Sequence, residues 1–181
     1  LIMYYCKDII MTGYAADYGA AVIARKRGSE LATKLPVSII NRIQEYYDSS
    51  YATIEALVPQ MADTYADCIW QVSEGGVFKA LRDMADSENT GVSVWLDLVS
   101  IRQETIEVCE VYDINPYMLN STGTMLIISA HGNELVRLLG DAGVHAAVIG
   151  CTTDNNDKII INDNEVRYLE SRIADELGKF V

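Results

Sequence analysis

The residues best suited to chemistry lie mid-chain, in Gln71-Val72-Ser73-Glu74-Gly75-Gly76-Val77. Two adjacent glycines let a backbone approach a ligand with no Cβ in the way. Ser73 has a hydroxyl of the kind that caps the first free N–H groups of a helix. Such N–H groups, beside glycine, favour an anion such as phosphate. An ordinary β-to-α turn uses the same residues, so the stretch alone leaves both readings open. A second segment, Gly13-Tyr14-Ala15-Ala16-Asp17-Tyr18-Gly19, repeats the arrangement with Asp17 as its expected cap. It too can be a plain strand-to-helix connection.

The flanking sequence supplies the elements that would hold these corners. Residues 66–70 read as a short buried strand. After the glycines, Val77, Ala80, Leu81, Met84 and Ala85 recur at helical spacing and form one apolar stripe. Residues 7–12 read as a strand leading to a helix with Ala20, Ile23 and Ala24 in the core, closed by Arg25-Lys26-Arg27 and Gly28. Residues 29–35 follow as a short helical piece. Pro36 then opens a helix with Ile40, Ile43 and Tyr47 on one face, ended by Asp48-Ser49-Ser50. Ile54, Leu57, Val58 and Met61 mark the next helix, where Pro59 predicts a kink or an early stop. Tyr46, Tyr47, Tyr51 and Tyr65 could line a pocket, although aromatics packed between helix and sheet explain them as well.

Beyond the central corner, residues 92–97 alternate as a strand. Residues 103–111 read as a helix with Glu104, Glu107 and Glu110 on a solvated side. Asn115-Pro116 begins a helical turn, and Asn120-Ser121-Thr122-Gly123 is a polar loop into a buried strand at 124–128. A helix at 131–142, a strand at 146–150, a strand at 158–162 and a weak amphipathic helix at 171–179 complete the chain. The order β-α-α-α-β-α-β-α-β-α-β-β predicts an α/β (α+β) fold, a three-layer α/β/α sandwich with a mixed sheet, as one domain over residues 1–181.

Bulk properties narrow the function. A net charge of −12 with no basic stripe argues against nucleic acid and against an anionic membrane surface. No apolar run is long enough for a membrane span, and no leader is expected at the start. Cys6, Cys68, Cys109 and Cys151 lie far apart, without the C-x-x-C spacing of a zinc knuckle or a thioredoxin-like site. Cys68 and Cys109 are expected as buried thiols, and the setting as reducing and cytoplasmic. His131 and His145 each adjoin an apolar run and are expected in structural roles. Leu1 is not an initiator, so the expectation is a fragment or processed piece, with Met3 as the alternative start.

Four stretches, in this order, carry a family resemblance: Asp8 to Gly19, Gln71 to Gly76, Asn115 to Gly123 with the strand after it, and Ala146 to Gly150. The chain resembles the C-terminal domain of the AIR synthase-related superfamily, and most of all its HypE-like branch. The superfamily includes aminoimidazole ribonucleotide synthetase, selenophosphate synthetase, thiamine-monophosphate kinase and the hydrogenase maturation protein HypE. The resemblance implies a full-length protein that uses ATP and Mg²⁺, whose N-terminal domain holds the acidic metal-binding loop. That domain is absent from this chain, so neither cofactor is expected here alone and the piece is expected to be inactive. Gly13, Asp17, Gly19, Ser73, Glu74, Gly75, Gly76, Ser121, Thr122 and Gly123 would line one wall of a nucleotide or small-substrate cleft. No catalytic residue and no metal ligand is assigned. The implied partners are the N-terminal domain and a second copy, as a homodimer.

Departures from the family matter. Gln71 stands where the resemblance expects Asp, Ser73 where it expects Thr, and Glu74 where the HypE-like branch has Arg. Ala16 replaces Gly and Tyr18 replaces His. A carboxylate at a helix start satisfies the dipole and repels phosphate. The chain ends Gly178-Lys179-Phe180-Val181, without the terminal cysteine of HypE. The alternative reading is therefore a non-catalytic binding or assembly module that keeps the fold.

Overall fold

A computed structural model of the chain describes residues 6–48 and 51–181. The readings placed on Leu1, Met3, Ser49 and Ser50, and on the side chains of Tyr47, Tyr51 and Ile54, fall outside the described residues. Among the described residues the strands are β1 (Asp8–Thr12), β2 (Cys68–Gln71), β3 (Gly91–Trp95), β4 (Met125–Ser129), β5 (Ala146–Thr153), β6 (Lys158–Asn162) and β7 (Glu165–Tyr168). The helices are α1 (Asp17–Leu31), α2 (Val37–Asp48), α3 (Tyr51–Ala62), α4 (Gly76–Ser87), α5 (Gln103–Tyr112) and α6 (Gly132–Asp141). The seven strands form one sheet in the order β2-β4-β1-β5-β3-β6-β7. Every pairing is antiparallel except β3 with β6, so the sheet is mixed as predicted.

Alternation along the strands builds the layers. Ile9 and Met11 of β1 point to one face, where they meet Val77, Leu81 and Met84 of α4. Ile10 points to the other face, against Val58 of α3 and Leu135 and Leu139 of α6. All five residues of β4 are buried, as the apolar run at its position requires. The predicted α4 stripe is buried in full: Val77, Ala80, Leu81, Met84 and Ala85. Helices α1, α2 and α5 pack into a separate apolar cluster through Ala20, Ile23, Ile43 and Val108.

Local details differ from expectation. Helix α1 does not stop at Gly28. It kinks at Arg27 (φ −118°, ψ 21°) and runs on to Leu31, absorbing part of the separate piece expected at 29–35. Pro59 lies inside α3 without ending it. A seventh strand, β7, lies where none was predicted. The helix expected at 171–179 is only a 3₁₀ turn at Glu176–Lys179, capped by Asp175.

Candidate functional site

The two glycine-bearing corners stand at the same end of the sheet, where β1 and β2 lead into α1 and α4. Neither is capped as predicted. The residue before α1 is Ala16, in the left-handed region at φ 67°, and Asp17 is the first helical residue. The residue before α4 is Gly75 at φ 81°, and no side chain caps either helix. Ser73 contributes its carbonyl instead, which accepts from Gly76 N at 3.1 Å. Its side chain stays exposed, as does that of Glu74.

The loop before β4 joins the corners. Ser121 Oγ accepts from Ala16 N at 2.8 Å in the first corner. Ser121 N donates to Ser73 O at 3.2 Å in the second. Gly19 N donates to Asn120 O at 3.0 Å, and a Cβ at Gly19 would overlap the Leu119 side chain. A Cβ at Gly76 would lie 2.6 Å from the carbonyl oxygens of both Tyr117 and Leu119. Both glycines are thus required by the approach of the protein's own chain. Asn120 folds the loop on itself, its Oδ1 accepting from Thr122 N at 3.0 Å and Thr122 Oγ1 at 2.7 Å. Of the ten residues named from sequence, Ser73 and Glu74 are exposed and Gly13 and Thr122 half-buried. Asp17, Gly19, Gly75, Gly76, Ser121 and Gly123 are buried.

Asp17 is committed to a network that sequence reading missed. Its Oδ1 accepts from Thr105 Oγ1 at 2.7 Å and its Oδ2 from Arg102 Nε at 2.8 Å. The carboxylate side chain is only 7% exposed. Burial pushes its pKa up to about 6, outweighing the opposite pull of Thr105 and Arg102. The Arg102 guanidinium sits between the rings of Tyr14, at 4.1 Å, and Tyr46, at 4.3 Å. Tyr14 in turn stacks on His145 at 4.4 Å, and His145 Nε2 lies 2.8 Å from Ser100 Oγ. Burial, with Arg102 nearby, holds the His145 pKa below the ordinary range. Of the tyrosines read as a possible pocket lining, Tyr46 serves this clamp and Tyr65 meets His131 edge-on at 6.1 Å.

One cavity adjoins the site and another lies away from it. The first, of about 290 Å³, borders the second corner, with Phe78 and Tyr117 on its wall. A larger one of about 460 Å³, lined by Cys6, Lys7, Asp67, Glu88 and Thr90, lies at the opposite end of the sheet. All four cysteines are free, and burial raises the thiols of Cys68 and Cys109 to about 11 and about 12. Among the described residues no group of three or more His, Cys, Asp or Glu is placed to hold a metal ion. Glu104 pairs with Arg42 at 2.8 Å and Glu107 accepts from Gln103 at 2.8 Å. Among the described residues no helix is long and apolar enough to cross a membrane.

This layered fold with its paired corners belongs to a known group. The chain is a member of the family described as AIR synthase related protein, C-terminal domain, whose pattern matches residues 9–162. It is similar to a Methanocaldococcus jannaschii protein named, provisionally, for hydrogenase expression or formation. The two are 24% identical over 159 residues, which cover 84% of this chain and 44% of the relative. In three dimensions it resembles HypE of E. coli, with a TM-score of 0.77 at 14% identity, over 99% of this chain and 54% of that one. It also resembles the hydrogenase maturation protein HypE solved in complex with ATP, with a TM-score of 0.70 at 16% identity, over 97% of this chain and 52% of that one. The chain therefore spans about half the length of the relatives it matches.

Proposed function

We propose that this chain forms one wall of a nucleotide or small-substrate cleft in an ATP-dependent, HypE-like protein. The observation that carries the reading is the junction of both corners through Ser121, which leaves Ser73 and Glu74 exposed beside an α4 start that no side chain caps. The first N–H groups of a helix suit phosphate oxygens, although at α4 the Gly76 N–H is already taken by Ser73 O. The ATP-bound HypE with the same fold supports nucleotide as the ligand. Asp17 is spent on Arg102 and Thr105, so it shapes the wall and is not offered to Mg²⁺. The metal ligands and the remaining phosphate contacts would come from an N-terminal domain, the partner that the half-length coverage supports. Glu74 is the wrong charge for phosphate and favours the second reading, a binding or assembly module that keeps the fold without the chemistry.

The test is calorimetric titration with ATP and Mg²⁺, of this chain alone and with the N-terminal half of the M. jannaschii relative supplied in trans. Binding is expected only in the mixture, and Glu74→Arg should tighten it by roughly three- to tenfold by replacing a repulsive charge at the helix start. A mixture that forms a complex yet takes up no nucleotide, with or without Glu74→Arg, rejects the cleft and leaves the module.

A further inference from the structure

The sheet is covered unevenly. On the face that carries α3 and α6, helix α6 packs over β1 and β5. Further along, the same face runs across β3, β6 and β7. Ladder register places Trp95, Ile161 and Val166 in one row and Ser93, Ile159 and Tyr168 in the next. Val92, Val94 and Ile160, which alternate with them, point to the opposite face and its core. Trp95 is 38% exposed, Val166 58% and Tyr168 67%. No helix among the described residues packs closely along β7, and all four of its residues are exposed. β7 is also the last strand of the sheet, so its outer backbone groups have no ladder partner among the described residues.

Charges on an edge strand normally deter pairing with strands at random. Here they are complementary to their own copy. β7 reads Glu165-Val166-Arg167-Tyr168, with Arg167 Nη2 2.6 Å from Glu165 Oε2 on one face of the strand. Consider two β7 strands run antiparallel about a two-fold axis at Val166. Glu165 then lies opposite Arg167 of the second copy, twice over, on that face. On the other face Val166 meets Val166, and the two bare apolar patches become continuous. Moving the axis to Arg167 would set arginine opposite arginine, so the charges also fix the register.

We propose that β7 is the self-association surface of this chain, joining two copies edge to edge into one sheet through reciprocal Glu165–Arg167 pairs. This goes beyond the cleft and does not depend on it. Each copy carries a net charge of −12, so repulsion between copies falls as salt screens it over about 8 Å at physiological ionic strength.

Sedimentation at physiological salt, across a concentration series, tests the surface. The wild-type chain should show a monomer–dimer equilibrium. Glu165→Arg and Arg167→Glu should each weaken it by roughly tenfold or more, because each converts two attractive pairs into two repulsive ones. Mixing the two single variants should restore dimers, and so should the double exchange within one chain. Both sites are exposed, and circular dichroism verifies that each variant is folded. A wild type that stays monomeric up to about millimolar concentration overturns the proposal. So does a dimer indifferent to all three variants, which would place association elsewhere. Binding of the relative's N-terminal half that is lost on Tyr168→Lys would assign the face to that domain instead.

Discussion

Replacing Asp17 with asparagine tests the least expected feature of the site, a buried ion pair in which burial dominates. In the folded chain the Asp17 pKa rises from 3.8 to about 6. The folded state therefore holds a proton that the unfolded chain has released across that window. Stability from this group is complete below pH 3.8 and is lost as pH rises through about 6. A displacement of that size corresponds to about 3 kcal/mol between the two ends. The groups facing the carboxyl are Arg102, Thr105, Glu104 and Tyr46, with His145 beyond Tyr14. The asparagine side chain has no proton to release. Subtracting the variant's stability from that of wild type, pH by pH, therefore isolates this carboxyl from the other acids. Urea unfolding between pH 4 and pH 7.5 should show wild type losing about 2 kcal/mol relative to Asp17→Asn as pH rises, the rest of the change lying below pH 4. His145 titrates nearby, so the difference should persist in a His145→Gln background. A difference that stays flat would mean that Arg102 and Thr105 balance burial, and one that moves in favour of wild type with rising pH would mean that they outweigh it and stabilise the charged form; either result refutes the dominance of burial at this carboxyl.

Three further outcomes follow from the same geometry. Ser121→Ala removes the acceptor for the buried Ala16 N–H and the donor to Leu119 O, and should cost about 1–3 kcal/mol in urea unfolding. Gly76→Ala adds a Cβ between two backbone carbonyls at φ 64°, and should cost at least about 2 kcal/mol, read as loss of soluble protein or a lowered thermal midpoint. Asp113→Gly should stabilise by about 0.5–1 kcal/mol, since this residue holds φ 53° at the C-terminal end of α5, where glycine is unstrained and a negative charge is unfavourable.

The buried centre of the fold was legible because its strands must be apolar throughout. The run at β4 and the stripe on α4 leave no other arrangement that buries them. β7 was not legible, since a strand with every residue exposed has no inward-facing alternation to read. Gly28 reads as a stop because glycine ends many helices, but the kink at Arg27 carries α1 past it. The predicted caps failed for a related reason: Ala16 and Gly75 take up left-handed backbone, so the turns close without Ser73 or Asp17 side chains. The motifs in order did reveal two corners and a loop that share one family pattern. They could not reveal that Asp17 pairs with Arg102, 85 residues away, because no local spacing encodes that contact.

The place of β1 in the sheet governs how the chain can be made. It lies near the beginning of the described chain yet sits between β4 and β5. Its pairings reach across 113 residues from Thr12 to Met125 and 143 from Asp8 to Cys151. During synthesis this apolar strand leaves the ribosome long before either neighbour exists. It must be sheltered by provisional helix contacts or by chaperones until the last third of the chain arrives. Closure of such distant pairings also makes for slow folding.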